Sequence, residues 1–271
     1  MSWLRGLWAL TVREIKKWLK DPVLLLVTVV QPFVWMAFFG KSMNIGGLLS
    51  GLPPGMAESV MGTAFGTSDY FSYMAIGMIS FTAMFTTMFT GMSIVWDRRL
   101  GFLNKVLSTP VPRGAIVLSK VLNSAIRSIF QATVIFTIAL FLGLRLSPSF
   151  SPVNVLLVYG AIFLFCVGIS FIFLTITLRA TKIEAPMAFV NLINLPLMFA
   201  SNVFFPTSMM PDWIKAIARV NPVTYLTDAC RQLTVWTTDY HALAVDFAYL
   251  GTFAAVLSAI GILLAMRYLS R

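Results

Sequence analysis

Few side chains in this sequence could carry covalent or proton chemistry, and their spacing argues against the familiar uses of each. The triplet Gly40-Lys41-Ser42 ends like a phosphate-binding loop. That loop, G-x-x-x-x-G-K-[ST], needs a glycine at position 35, where Trp35 stands, and it follows a strand rather than an apolar helical run. The sequence therefore offers no ATP site of its own. His241 is the single histidine, which excludes a His-rich metal centre, and no metal site is expected. Cys166 and Cys230 are too few for a disulfide framework. An intramembrane enzyme needs a nucleophile with its base, or metal ligands, and the sequence suggests neither. A proton-driven pump needs ionisable groups inside its apolar segments, and Glu184 stands only at the edge of one.

The elements that must position these residues are apolar. Of 271 residues, 58% are hydrophobic and 11% charged, against roughly 45–50% and about 25% in soluble domains. Mean hydropathy is +0.85. So few charges cannot cover a water-facing surface, and the bilayer is the alternative solvent. Charge-free runs occupy 22–40, 70–96, 128–144, 146–178, 185–211 and 247–266. A spanning helix needs about 20 mostly apolar residues. The runs predict an all-α polytopic membrane protein, a single transmembrane domain over 1–271 with six spans near 22–40, 70–96, 121–144, 153–178, 185–205 and 246–266. The uncharged stretch 42–57 reads as a loop, because Gly46-Gly47, Gly51 and Pro53-Pro54-Gly55 interrupt it.

Lys and Arg set the orientation. With the N-terminus inside, the inner segments carry fourteen of them and the outer segments five, among them Arg145, Lys215 and Arg231, while Arg127 sits at the inner end of the third span. Both termini are then cytoplasmic. The net charge of +10 follows from this asymmetry, with no nucleic-acid partner. A basic stretch before an apolar run imitates a secretory signal, but Val23–Gly40 is too long and no cleavage site follows, so it reads as a retained first span. Residues 1–21 form a separate element. On a helical wheel Leu4, Leu7, Trp8, Leu10, Val12, Ile15, Trp18 and Leu19 share one arc, and Arg5, Arg13, Lys16, Lys17 and Lys20 the other. Such a helix lies in the membrane interface. Pro32 and Pro196 fall within spans one and five and favour kinks.

Two segments outside the spans carry most of the functional information. Residues 97–113, from Asp97-Arg98-Arg99-Leu100-Gly101-Phe102-Leu103 through Val106-Leu107-Ser108-Thr109-Pro110 to Arg113, predict a short cytoplasmic helix stopped by Pro110 and Pro112. Its apolar face needs a partner or the interface. The outer segment 206–240 holds Phe204-Phe205-Pro206 at its edge, then Met210-Pro211-Asp212-Trp213-Ile214 and Val220-Asn221-Pro222-Val223-Thr224-Tyr225. It predicts two short broken helices.

These two segments, in this order and on these sides, resemble ABC-2 type transporter permeases, in the style of the drug-resistance and nodulation-type exporters. The resemblance covers nearly the whole chain. It implies a half-transporter whose second permease copy, identical or similar, completes the path, and whose separate cytoplasmic ATPase subunits bind ATP and Mg. It implies that 97–113 couples to the ATPase through Arg98, Arg99, Phe102, Leu103, Val106, Leu107 and Arg113, and that 206–240 is an external re-entrant segment carrying Trp213, Asn221, Pro222 and Tyr225. It also implies a path along spans two and five, for which Thr86, Met88, Thr90, Asn191, Asn194 and Asn202 are the candidates. Interhelical hydrogen bonding is the plainer use of such polar residues. The cargo expected is a hydrophobic or amphipathic compound, drug-like or lipid, exported across the plasma membrane of a prokaryote. A lipid-linked saccharide, or a non-transporting membrane scaffold, are the alternatives.

Overall fold

The computed structural model describes residues 3–41, 56–67, 69–180, 182 and 184–269, and all regular structure among them is helical. The loop predicted at 42–57 lies mostly outside the described residues. Helix α1, Trp3–Leu19, stops at Asp21, whose carboxylate accepts from the amides of Val23 and Leu24 and so caps α2, Pro22–Trp35. Pro22 occupies the first turn, where its missing donor costs nothing. The two helices meet at 75°. A π-turn, Met36–Lys41, continues α2 one turn after Pro32. After the short α3, Met56–Phe65, comes the long α4, Tyr70–Arg99, capped by Asp69.

Helix α4 forms the centre of the molecule and is buried along almost its whole length. Around it pack α6, Arg113–Phe141, α7, Pro152–Arg179, and α10, Pro222–Thr234. Helix α11, Tyr240–Leu269, lies along α7 and α10. Helix α8, Glu184–Phe199, touches the bundle mainly through α4. The remaining helices are short, α5 at Phe102–Leu107 and α9 at Asp212–Ala218.

The interior is held by close packing and by hydroxyls that find backbone or side-chain partners. Ser124 and Ser170 bridge α6 and α7 at 2.7 Å, and Thr177 donates to the Gly91 carbonyl of α4 at 3.1 Å. Such bonds are worth about 0.6–2 kcal/mol each in a membrane. Both cysteines are free and buried. The outward faces of α2, α7, α8 and α11 expose Leu26, Phe33, Leu156, Leu192 and Leu263, which only an apolar solvent would favour.

Among the described residues four helices are long and apolar enough to cross a membrane, and a fifth crossing results if the bent pair α1 and α2 counts as one. The chain is a multi-pass membrane protein. Helix α8 is apolar but has only 16 residues. The predicted span 185–205 ends early because the chain turns after Phe199, which places Asn202 beyond the helix.

Candidate coupling and translocation site

The polypeptide leaves α4 at Arg99 through Leu100 and Gly101, the latter at φ +69°, a left-handed conformation that side chains disfavour. This turn folds α5 back beneath the bundle. Leu103 and Val106 then face inward, 4% and 6% exposed, against Ile116, Leu10 and Phe102. Both were expected to touch an ATPase; within this chain they seat α5 on α1 and α6. The reason is that α1 supplies a docking surface, with Leu10 in the cluster and the Arg13 guanidinium 3.3 Å over the Phe102 ring. Leu100 and Leu107 remain exposed on α5 and its lead-in, beside exposed Arg99 and Lys105. Arg113 is also exposed, whereas Arg98 donates to the Ala180 carbonyl at 3.1 Å.

Directly above this platform is a buried cluster of charge. Lys120 on α6 bonds Asp97 on α4 and lies 2.9 Å from Glu14 on α1. Arg13 closes the set, 2.6 Å from Glu14 and 3.8 Å from Asp97. Three helices that are distant in sequence are thus fastened where α5 begins. Lys120, counted among the inner surface charges, is 3% exposed.

Helix α1 divides its apolar arc between the bundle and the outside. It buries Gly6, Thr11, Glu14 and Trp18 against its neighbours and exposes Leu4 and Trp8. Small and hydrogen-bonded residues allow the close approach: the Val111 side chain already lies 3.1 Å from where a Cβ on Gly6 would be.

At the opposite end, Asn221 caps α10 through Val223 and donates to the Leu197 and Ala200 carbonyls at 2.7 Å each. It thereby satisfies carbonyls at the end of α8, which lack helical partners. Pro222 starts α10, Tyr225 donates to the Arg219 carbonyl and stacks 3.8 Å from Tyr249, and Trp213 is exposed on α9.

Arg231, read as an outer loop cation, is instead completely buried. It donates to the carbonyls of Tyr73, Asn202 and Val203, with its guanidinium 3.4 Å over the Tyr73 ring. Gly77 makes room for this: a Cβ there would sit 2.4 Å from the Val203 oxygen and 2.8 Å from an Arg231 nitrogen. Asn202 donates to Asp228, and burial pushes that carboxyl up to about 6 against the pull of Arg231. A cavity of about 650 Å³ opens here, lined by Asp228, Gln232, Trp236, Asp239 and Asp246.

The candidate path residues are not gathered in one place. Thr86 donates to Gln131 on α6, and Thr90 back-bonds to the Thr86 carbonyl. Met88 lies fully within the core. Asn194 is buried with its amide oxygen unpaired, Asn191 is exposed, and Asn202 belongs to the Arg231 end. Sequence reasoning missed Glu14, Asp97, Lys120 and Arg231 as interior charges. The signal was faint: each lies within about two turns of a helix end, where a solvated charge is the ordinary reading.

Helix α5, the buried ion cluster and the returning α9–α10 segment all fall within residues 5–235, the region matched by the family model for the ABC-2 type transporter. The chain belongs to the ABC-2 type transporter family. It is therefore a membrane component of an ABC transporter rather than the ATPase, and the family works with an ABC ATPase subunit. Similar proteins include the ycf38 transport permease of Pyropia yezoensis, 29% identical over 86% of this chain and 75% of that one. The daunorubicin resistance ABC transporter permease DrrB1 of Streptomyces coeruleorubidus is 26% identical over 66% of this chain and 63% of its own. YbhR of Escherichia coli, whose name assigns it to multidrug ABC transport, is 28% identical over 69% and 50%.

Proposed function

We propose that this ABC-2 permease is the membrane half of an exporter that moves a hydrophobic or amphipathic compound, drug-like or lipid, out across the plasma membrane of a prokaryotic cell. ATP and Mg bind the separate cytoplasmic ATPase, and a second permease copy, identical or similar, completes the path. The spans are six: α2 with its π-turn, α4, α6, α7, α8 and α11. Pro22–Lys41 comprises 20 helical residues, about 30 Å of rise. The 75° bend before it suits an α1 that lies in the interface with both termini on the cytoplasmic side.

The observation that carries this reading is the platform at the α4–α6 end. Helix α5 is seated on apolar contacts and pinned below a buried ion cluster, while Leu100 and Leu107 point away from the bundle. A rigidly seated helix with outward apolar residues passes on a push without unfolding. Relatives named for drug resistance support the cargo class.

The test is mass spectrometry of proteins that co-purify with the tagged chain from its host in mild detergent. A soluble protein with phosphate-loop peptides, near one per permease, is expected. An intact, folded permease that brings down no such protein would overturn the proposal in favour of a scaffold.

A further inference from the structure

Between α2, α4 and α6 runs a groove of about 450 Å³, within the usual range for a small-ligand site. Its floor is a ladder of phenylalanines on α4, with Phe81 4.6 Å from Phe85 and Phe85 6.3 Å from Phe89. Leu24 and Val27 of α2 and Phe89 border it and are themselves exposed, so the groove opens onto the outward apolar surface. Its occupant therefore comes from the bilayer.

One charge lines this groove, Arg127 on α6. It has no carboxylate within ion-pair distance among the described residues, and its Nε is buried without a hydrogen-bond partner. The guanidinium lies 5.1 Å over the Trp18 ring. Glu14 acts on it only at longer range and is already held by Lys120 and Arg13. An ionisable side chain inside a span is costly and calls for a partner. Arg127 lies seven residues past Lys120, about 10 Å farther along the helix from the coupling platform. That depth is reached by the headgroup region of the leaflet on the α5 side once the long side chain reaches back toward it.

We infer that this groove binds one anionic phospholipid from the leaflet on the coupling-helix side, with its phosphate on Arg127 and an acyl chain along Phe81, Phe85 and Phe89. Charge complementarity selects the headgroup, and a guanidinium can grip a phosphate with two parallel hydrogen bonds. Basic pockets between spans on the cytoplasmic side take such headgroups generally. Because α1 reaches the same arginine through Trp18, the lipid would sit beside the element that carries Glu14 into the ion cluster.

The test is native mass spectrometry of the full chain, with any ATPase that accompanies it, titrated with phosphatidylglycerol or phosphatidylcholine of identical acyl chains. One phosphatidylglycerol is expected to bind at least tenfold more tightly than phosphatidylcholine. Arg127→Gln should erase that preference, Arg127→Lys should keep part of it, and Phe85→Ala should weaken both lipids alike. Trp18→Leu separates the lipid site from a mere strut for α1. If it removes the preference as fully as Arg127→Gln, Arg127 only holds α1 and the inference fails. Equal affinity of the wild type for both lipids would also overturn it, as would displacement of phosphatidylglycerol by millimolar inorganic phosphate, which would mark a free-anion site. If Arg127→Gln does not fold, the Arg127→Lys and Phe85→Ala titrations decide.

Discussion

Arg231 near the end of the chain binds the carbonyl of Tyr73 through two of its nitrogens, at 3.2 and 3.0 Å, and covers the same residue's ring at 3.4 Å. One side chain thus ties α10 to the first turn of α4 and to the turn that follows α8. Removing it leaves three carbonyls and a cavity in the interior. Each orphaned buried polar group costs about 1–3 kcal/mol, so Arg231→Ala should lower the melting temperature in detergent sharply or abolish the folded protein. Arg231→Lys, which loses the planar fork, should fall between. A wild-type melting curve for Arg231→Ala would refute this account.

Gly77→Ala tests the same junction from the other side. The added methyl would press on the Val203 carbonyl and the Arg231 guanidinium. Overpacking of this kind costs about 1–3 kcal/mol. The expected result is a lower melting temperature and faster proteolysis between α8 and α9 than in the wild type.

The coupling surface and its seat should respond differently. Leu100→Asp with Leu107→Asp changes only exposed positions, so the protein should fold and melt normally, while ATP hydrolysis by the assembled complex falls about tenfold or more through loss of apolar contact. Leu103→Asp places an unpaired charge in the seat and should reduce the yield of folded protein. If hydrolysis survives the double exchange, Leu100 and Leu107 do not touch the ATPase.

Lys120→Met should leave Glu14 and Asp97 with only the partly exposed Arg13 between them, 3.8 Å from Asp97. Breaking a buried ion pair from one side costs about 3–5 kcal/mol, and here it should release α1, seen as new protease cleavage between α1 and α2. Adding Glu14→Gln and Asp97→Asn should restore most of the protection, because the one charge left, Arg13, reaches solvent. Cleavage unchanged in Lys120→Met would show that apolar contacts alone hold α1.

Asp228 gives a pH signature. Its carboxyl is raised to about 6, chiefly by burial and against Arg231. A carboxyl with a folded pKa above its unfolded value binds protons more readily when folded. Its contribution therefore favours the folded state below about pH 4 and is lost as pH rises toward 6. Melting curves from pH 4 to 8 should show this decline, and Asp228→Asn should flatten it.

How much could be read in advance depends on what each residue faces. The apolar run 70–96 announced α4, since a charge-free stretch of that length has one stable solution in lipid. Gly101, Pro110 and Pro112 announced a short helix at α5. Which of its residues point outward could not be read, because Leu103 and Val106 are covered by Leu10 and Ile116, one of them ninety residues upstream. The wheel of α1 separated apolar from basic residues but did not show which of them meet the bundle. Helices in a bilayer approach through small and polar residues, so Gly6, Thr11 and Glu14 turned inward and Leu4 and Trp8 outward. A count of charges by loop placed Lys120 and Arg231 on the surface, yet each fills a demand created by distant parts of the chain: the carboxylates of Glu14 and Asp97, and the carbonyls of Tyr73, Asn202 and Val203.

The bond between Arg231 and Tyr73 joins positions 158 residues apart. During synthesis α4 is delivered to the membrane long before the arginine that completes its first turn has been translated. Until then the end of the bundle opposite α5 has no clasp. A ribosome that stalls within α8 leaves a product that lacks α9, α10 and α11, and with them the side chain that closes this end. The junction of α4, α8 and α10 can therefore close only after α10 has been made.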